Sequence, residues 1–170
     1  MKKFFMPLLL AVMLFSTSSY ASVVVGKVNI QEILLQVNDA EKAKAELEKL
    51  AQTKQQELRS DEQKIQKMQE DFQKQHMVLS DAKKAEKQRE IQEAIIAIQE
   101  KSQRFQQEMQ RKEDELKEPI LERITAVIQT VSESEKVDLT FEVSIAPVIY
   151  AKNAKDLTAK VVEEYNKRHK

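Results

Sequence analysis

Positions 91, 95, 98, 102, 105, 109, 112 and 116 are Ile, Ile, Ile, Ser, Phe, Met, Lys and Leu. Their alternating four–three spacing is a heptad seam, mostly apolar, held for nearly four repeats, and it predicts a helix that pairs along its length with another. Earlier in the chain Ala43, Leu47 and Leu50 begin a similar seam. Leu58, Ile65, Met68, Phe72 and Leu79 continue it after a slip of about four residues, a stutter in the repeat. Lys54, Asp61 and Gln75 dilute this seam, so the pairing is weaker and wetter than a leucine zipper. Between the two seams Ser80 or Asp81 can cap a new helix. The pattern therefore predicts a turn near residues 77–82 and two antiparallel helices of about 40 residues, each about 60 Å long at 1.5 Å per residue. One continuous helix is the competing geometry, because neither Gly nor Pro stands at the turn.

The pattern changes after Pro119, which is expected to bend the helix or restart it. Ile120, Ile124, Val127, Ile128 and Val131 then form a denser apolar stripe, as if the helix enters a body. Residues 137–143 alternate, with Val137, Leu139, Phe141 and Val143 predicted on one face of a strand. A second short strand is expected around Val148–Tyr150, after Pro147. Asp156 is placed to cap a last helix carrying Leu157, Val161, Val162 and Tyr165 on its apolar side. The one other strand candidate is 22–30. The fold class that follows is α+β, mainly α: a long antiparallel helical hairpin, residues 39–118, inserted in a small β body made of 22–38 and 119–170. Three short strands make a poor core alone. The strand at 137–143 is expected to pair with the N-terminal strand and then with neighbouring chains, through Val24, Val28, Ile30, Val137, Leu139, Phe141 and Val143.

Composition supports the hairpin. From Asp39 to Glu118 there is no Gly or Pro, and good helix formers dominate, with 17 Lys/Arg, 19 Asp/Glu and 15 Gln. The N-terminus reads differently. Lys2 and Lys3 precede an apolar run, Phe4 to Phe15, and Ser19 and Ala21 occupy the small-residue positions before a cleavage point. Residues 1–21 are read as a cleaved secretory signal, with the cut between Ala21 and Ser22. A buried helix or short anchor is the alternative, and the run is too short for a membrane span, which takes about 20 residues. Export, with a soluble mature chain, follows from the signal. The chain has no cysteine, one glycine and two histidines. Thiol chemistry, a Gly-rich phosphate loop and a histidine-rich metal site are thereby excluded. Without residues 1–21 the chain carries 26 basic and 28 acidic residues, which argues against a polyanion such as nucleic acid as partner. No cofactor or metal is expected, and no nucleophile–base arrangement stands out, so catalysis is rejected.

The stretches "VVVGKVNIQEILLQV", "RITAVIQTVSESEKVDLTFEV" and "YAKNAKDLTAKVVEEYNK", in that order around the charged hairpin, resemble the Skp/OmpH family of periplasmic chaperones. The most specific pieces are Val28–Asn29 leaving the first strand and Lys155–Thr158 opening the last helix. The resemblance implies a homotrimer with a shared β-barrel body and helical tentacles around a cavity. It also implies ATP-independent holding of unfolded outer-membrane β-barrel proteins.

Candidate client contacts are Met68, Phe72 and Phe105 along the seams, and Met77, Val78 and Leu79 at the turn, since a flexible apolar surface suits varied partners. The other reading of the seam residues, which extends to Met109, is coiled-coil core. Tip packing is the other reading of the turn. Lys83, Lys84, Lys87 and Arg89 form the local candidate for an anionic-lipid patch and a transient contact with a membrane surface; a solvated face interleaved with Asp81, Glu86 and Glu90 is the alternative. Against the holdase stands one other class, a structural or adaptor coiled coil of the cell envelope binding one folded partner.

Overall fold

The computed structural model describes residues 23–170. The expected cleavage point at Ala21 and Ser22, and the rest of the signal segment, lie outside the described residues. The order of elements is β1 (Val25–Val28), α1 (Ile30–Gln36), α2 (Asn38–Gln75), α3 (Asp81–Ser134), β2 (Leu139–Glu142), β3 (Lys155–Asp156) and α4 (Thr158–Arg168).

The turn falls at residues 76–80, and the hairpin geometry is the one adopted. Ser80 caps α3, its hydroxyl accepting the Lys83 amide at 3.4 Å. All eight return-seam positions, 91 to 116, are half-buried, as are Ala43, Leu47, Leu50, Lys54, Leu58, Asp61, Ile65, Met68 and Phe72 on the outgoing leg. Gln75, the last residue of α2, is exposed. No residue of α2 is fully buried, because two helices side by side cannot enclose a side chain.

Pro119 does not restart the helix: α3 runs unbroken through it for 54 residues. The proline is exposed, so water can reach the Glu115 carbonyl that loses its in-helix donor. Beyond it Ile120, Ile124, Val127 and Val131 are buried at i, i+4, i+7 and i+11, the stripe of a helix against a core. They pack with Val28, Ile33, Val37, Leu157, Val161 and Tyr165.

The sheet has the order β2–β1–β3, all parallel, so the 137–143 segment does pair with the N-terminal strand of its own chain, Val25 opposite Leu139 and Val28 opposite Glu142. Four expectations are corrected. The first strand ends at Val28, because Asn29 turns the chain and caps α1 through the Glu32 amide at 3.1 Å, which makes Ile30 helical. The stretch Val148–Tyr150 has no regular structure: Val148 donates to the Ala146 carbonyl in a tight turn, and the third strand is Lys155–Asp156 instead. Asp156 does accept the Thr158 amide at 3.0 Å, but it does so from β3, one residue ahead of the Leu157 cap position. Finally, the four alternating residues do not share a face. Val137 turns inward against the core, while Leu139 is 56% exposed and Val143 is exposed as well. A bend at Asp138, whose carboxylate accepts the Val24 amide at 2.7 Å, separates them. The inward side of β2 is the polar one: Thr140 bonds Ser132 at 2.7 Å, and Glu142 accepts the Ile30 amide at 3.3 Å.

Candidate functional site

At the far end of the hairpin Met77 is 90% exposed, Val78 is exposed beside it and Leu79 is half-buried. A five-residue turn has no opposing layer, so Met77 and Val78 face solvent. Met68, Phe72 and Phe105 lie half-buried in the seam, with Phe72 edge-on to His76 at 5.4 Å between centroids. The structure therefore separates a bare apolar tip from a seam whose apolar groups also hold the legs together.

The charged seam positions are paired across the hairpin. Lys54 meets Glu108 at 3.1 Å, Lys112 meets Glu46 at 3.0 Å, and Lys101 reaches both Asp61 at 2.8 Å and Glu57 at 3.3 Å. Hydrogen bonds from Lys101 and then Lys64 hold the Asp61 carboxyl at about 2, and Asp61 in turn raises Lys101 above its ordinary value. The basic cluster is neutralised on its own helix: Lys83 pairs with Glu86, Lys84 with Asp81, Lys87 with Glu90 and Arg89 with Glu93. That pairing removes most of the field an anionic headgroup would feel.

At the base of the hairpin a groove of about 620 Å³ is lined by Leu34, Leu35, Ala43, Leu47, Leu116 and Ile120, among others. Leu35 is 87% exposed. The "ILL" run hinted at this surface, since a helix that buries Ile33 cannot also bury both leucines that follow it. Close by, Tyr165 donates to Asp39 at 3.0 Å, and Arg123 donates to the same carboxylate oxygen at 2.7 Å. Burial pushes the Tyr165 phenol up to about 12, and the neighbouring Asp39 charge adds to it. Burial works to raise Asp39 too, but Lys42, Tyr165 and Arg123 together outweigh it and keep the carboxyl below its ordinary value.

On the body, Leu139 and Val143 join Ile145, Val148, Ile149 and Tyr150 as exposed apolar groups, Ile149 wholly so. Of the residues expected to join chains, Val28 is spent in the core of its own chain, and Ile30 and Val137 pack against that core. Val24 and Phe141 are half-buried, leaving Leu139 and Val143 bare. Among the described residues no cluster of His, Asp or Glu is arranged to hold a metal, and no helix is long and apolar enough to cross a membrane.

Comparison with known proteins gives one consistent answer. The family model described as outer membrane protein (OmpH-like) matches residues 24–165. The chaperone protein Skp of Pectobacterium atrosepticum is 31% identical over 153 residues, covering 88% of this chain and 89% of that protein. A crystal structure of an OmpH-like protein from Caulobacter crescentus CB15 superposes with a TM-score of 0.79 at 18% identity, over 87% of this chain and 86% of the other.

Proposed function

We propose, from the premise that this chain belongs to the Skp/OmpH family of chaperones and is not an enzyme, that it is an ATP-independent periplasmic holdase for unfolded outer-membrane β-barrel proteins. Three chains share one body, and their hairpins wall a cavity in which a client is kept from aggregating before membrane assembly. Residues 1–21 direct export and are removed. Residues 22–38 with 119–170 form the joining body, and 39–118 the tentacle. Contact with a membrane surface through Lys83, Lys84, Lys87 and Arg89 is transient at most, since each already has an acidic partner.

The observation that carries this reading is where the uncovered apolar groups lie: Leu139, Val143 and Ile149 on the body, Leu35 at the hairpin base, Met77 and Val78 at the tip. An exposed apolar sheet face supports assembly. Scattered apolar contacts on a long, incompletely buried hairpin suit weak, additive capture of many sequences better than one tight pocket does. Native mass spectrometry of the mature protein mixed with a urea-unfolded outer-membrane barrel tests it. A trimer carrying one client is the expected species. A trimer that ignores the client would move the assignment to an envelope adaptor, and a monomer at micromolar concentration would sink the shared body.

A further inference from the structure

Both legs of the hairpin are weakened where they meet the body. The outgoing leg starts afresh at Asn38: Val37, between α1 and α2, is extended (φ −83°, ψ 140°) and gives α2 no side-chain cap. The returning leg carries Pro119, which removes one helical hydrogen bond. Val37 and Ile120 line the same groove, so the two weak points lie side by side. Breaks and prolines are where helices bend, and a pair of them at one level is a hinge unless something else closes it.

Side chains of α4 and α3 close it. The Asn166 amide bridges the α1–α2 break: its oxygen accepts the Asn38 N–H at 2.8 Å and its nitrogen donates to the Gln36 carbonyl at 3.2 Å. Tyr165, fully buried, donates its hydroxyl to Asp39 in the first turn of α2. Arg123, one turn past Pro119, grips the same Asp39 oxygen, and Lys42 takes the other at 3.2 Å. The contacts from Tyr165 and Asn166 join residues 126 to 130 positions apart in sequence, so no local propensity explains them. We propose that Tyr165 and Asn166 form a latch that fixes the angle of the hairpin on the body. Its consequence for clients rests on the holdase reading: where hairpins wall a cavity, the latch sets how far the cavity opens.

The absence of cysteine allows clean labelling. Spin labels at Val78→Cys on the tip and Glu163→Cys on α4, in mature chains diluted into unlabelled protein, report the tip-to-body distance. Amide exchange at Asn38 and its neighbours reports the foot of α2. Tyr165→Phe and Asn166→Ala are each expected to broaden the distance distribution. They should also speed exchange at residues 38–41 by about tenfold, leaving amides near Leu58 and Ile65 as in the parent. A merely structural role would lower stability throughout and leave the native distance distribution unchanged. Parent-like distances and exchange in both variants would overturn the latch. Should Tyr165→Phe not fold, Asn166→Ala decides alone, because its side chain is only half-buried. Client capture is scored separately. If the parent captures nothing but the distances still broaden, the latch stands and the holdase reading falls. If the parent captures and the latched and unlatched forms accept the same range of client sizes, the link from latch to cavity falls.

Discussion

Gly26 is the chain's one glycine, and it is there for space. A Cβ at this position would lie 2.9 Å from the Thr140 hydroxyl, 3.0 Å from Leu157 Cδ1 and 3.0 Å from Val137 Cγ1. The three neighbours belong to segments that cannot all retreat, since Thr140 is in β2, Val137 packs on the core and Leu157 is buried. Gly26→Ala is expected to cost about 1–3 kcal/mol, read as a lower urea midpoint with unchanged slope at fixed protein concentration. Lys136 is the opposite case. It follows the last turn of α3 at φ 55°, where the Val137 amide reaches back to the Ser132 carbonyl at 2.9 Å. That left-handed position favours glycine, and the side chain is exposed. Lys136→Gly should stabilise by about 0.5–1 kcal/mol, visible as a higher thermal midpoint. A lone glycine is conspicuous in a sequence, but what surrounds it is set by elements more than 110 residues further on. The strain at Lys136 leaves no trace in the pattern at all, since a lysine after a helix looks like any surface residue.

At the scale of the element, the hairpin was the most legible part of the chain. Its four–three spacing is local, and a seam residue needs only its partner helix to become half-buried. The spacing did not reveal that Lys54, Asp61 and Lys112, positions that dilute the seam, are met by opposite charges across it. Lys101, outside both seams, was invisible for the same reason: ion pairing between legs depends on how the turn sets their register. The Asp61 carboxyl, held at about 2 by Lys101 first, contributes stability that is fully present above its ordinary 3.8 and lost as pH falls toward 2. Lys101 is raised, so its contribution holds below 10.5 and fades at higher pH. Across the neutral range the Asp61–Lys101 pair does not titrate. Salt is the lever that reaches these clasps, because each is partly exposed to solvent. Going from about 0.05 M to 1 M salt should speed amide exchange near Lys101 while pH changes between 5 and 9 do not. Exchange insensitive to salt would show that the apolar seam alone holds the legs. Replacing Lys54, Asp61 and Gln75 together with leucine should slow exchange along α2. Under the holdase reading it should also narrow the range of client sizes captured, and equal capture of small and large barrels would count against that link.

At the scale of the whole molecule, the misplaced strand is informative. Alternation at 137–143 pointed to a strand with one apolar face, and a parallel partner in the same chain was found. But Leu139 and Val143 turned outward while Val137 turned inward, and the stretch Val148–Tyr150 stayed irregular. Both departures have one physical source: the core of this chain is filled by α3, α4 and α1, and among the described residues nothing lies over Leu139 and Val143 or pairs as a strand with residues 148–150. A face of that kind, with Ile149 fully exposed beside it, is costly in water and suits burial between chains. Moving a leucine side chain from water to an apolar interface is worth about 2 kcal/mol, and placing a carboxylate there adds a desolvation penalty. Each chain of an assembly would therefore lose more than the 1.4 kcal/mol that corresponds to tenfold in an equilibrium constant. Leu139→Asp, and independently Ile149→Asp, should convert the parent assembly to a smaller species at micromolar concentration. Helix content should stay as in the parent, since neither residue touches the hairpin or the buried core. Mass measured under native conditions, with circular dichroism on the same samples, separates the outcomes. A smaller species with intact helices identifies this face as the one that joins the chains. An assembly indifferent to both substitutions would mean the face is covered by something other than a second copy, and the shared-body reading would have to be rebuilt on the half-buried Val24 and Phe141.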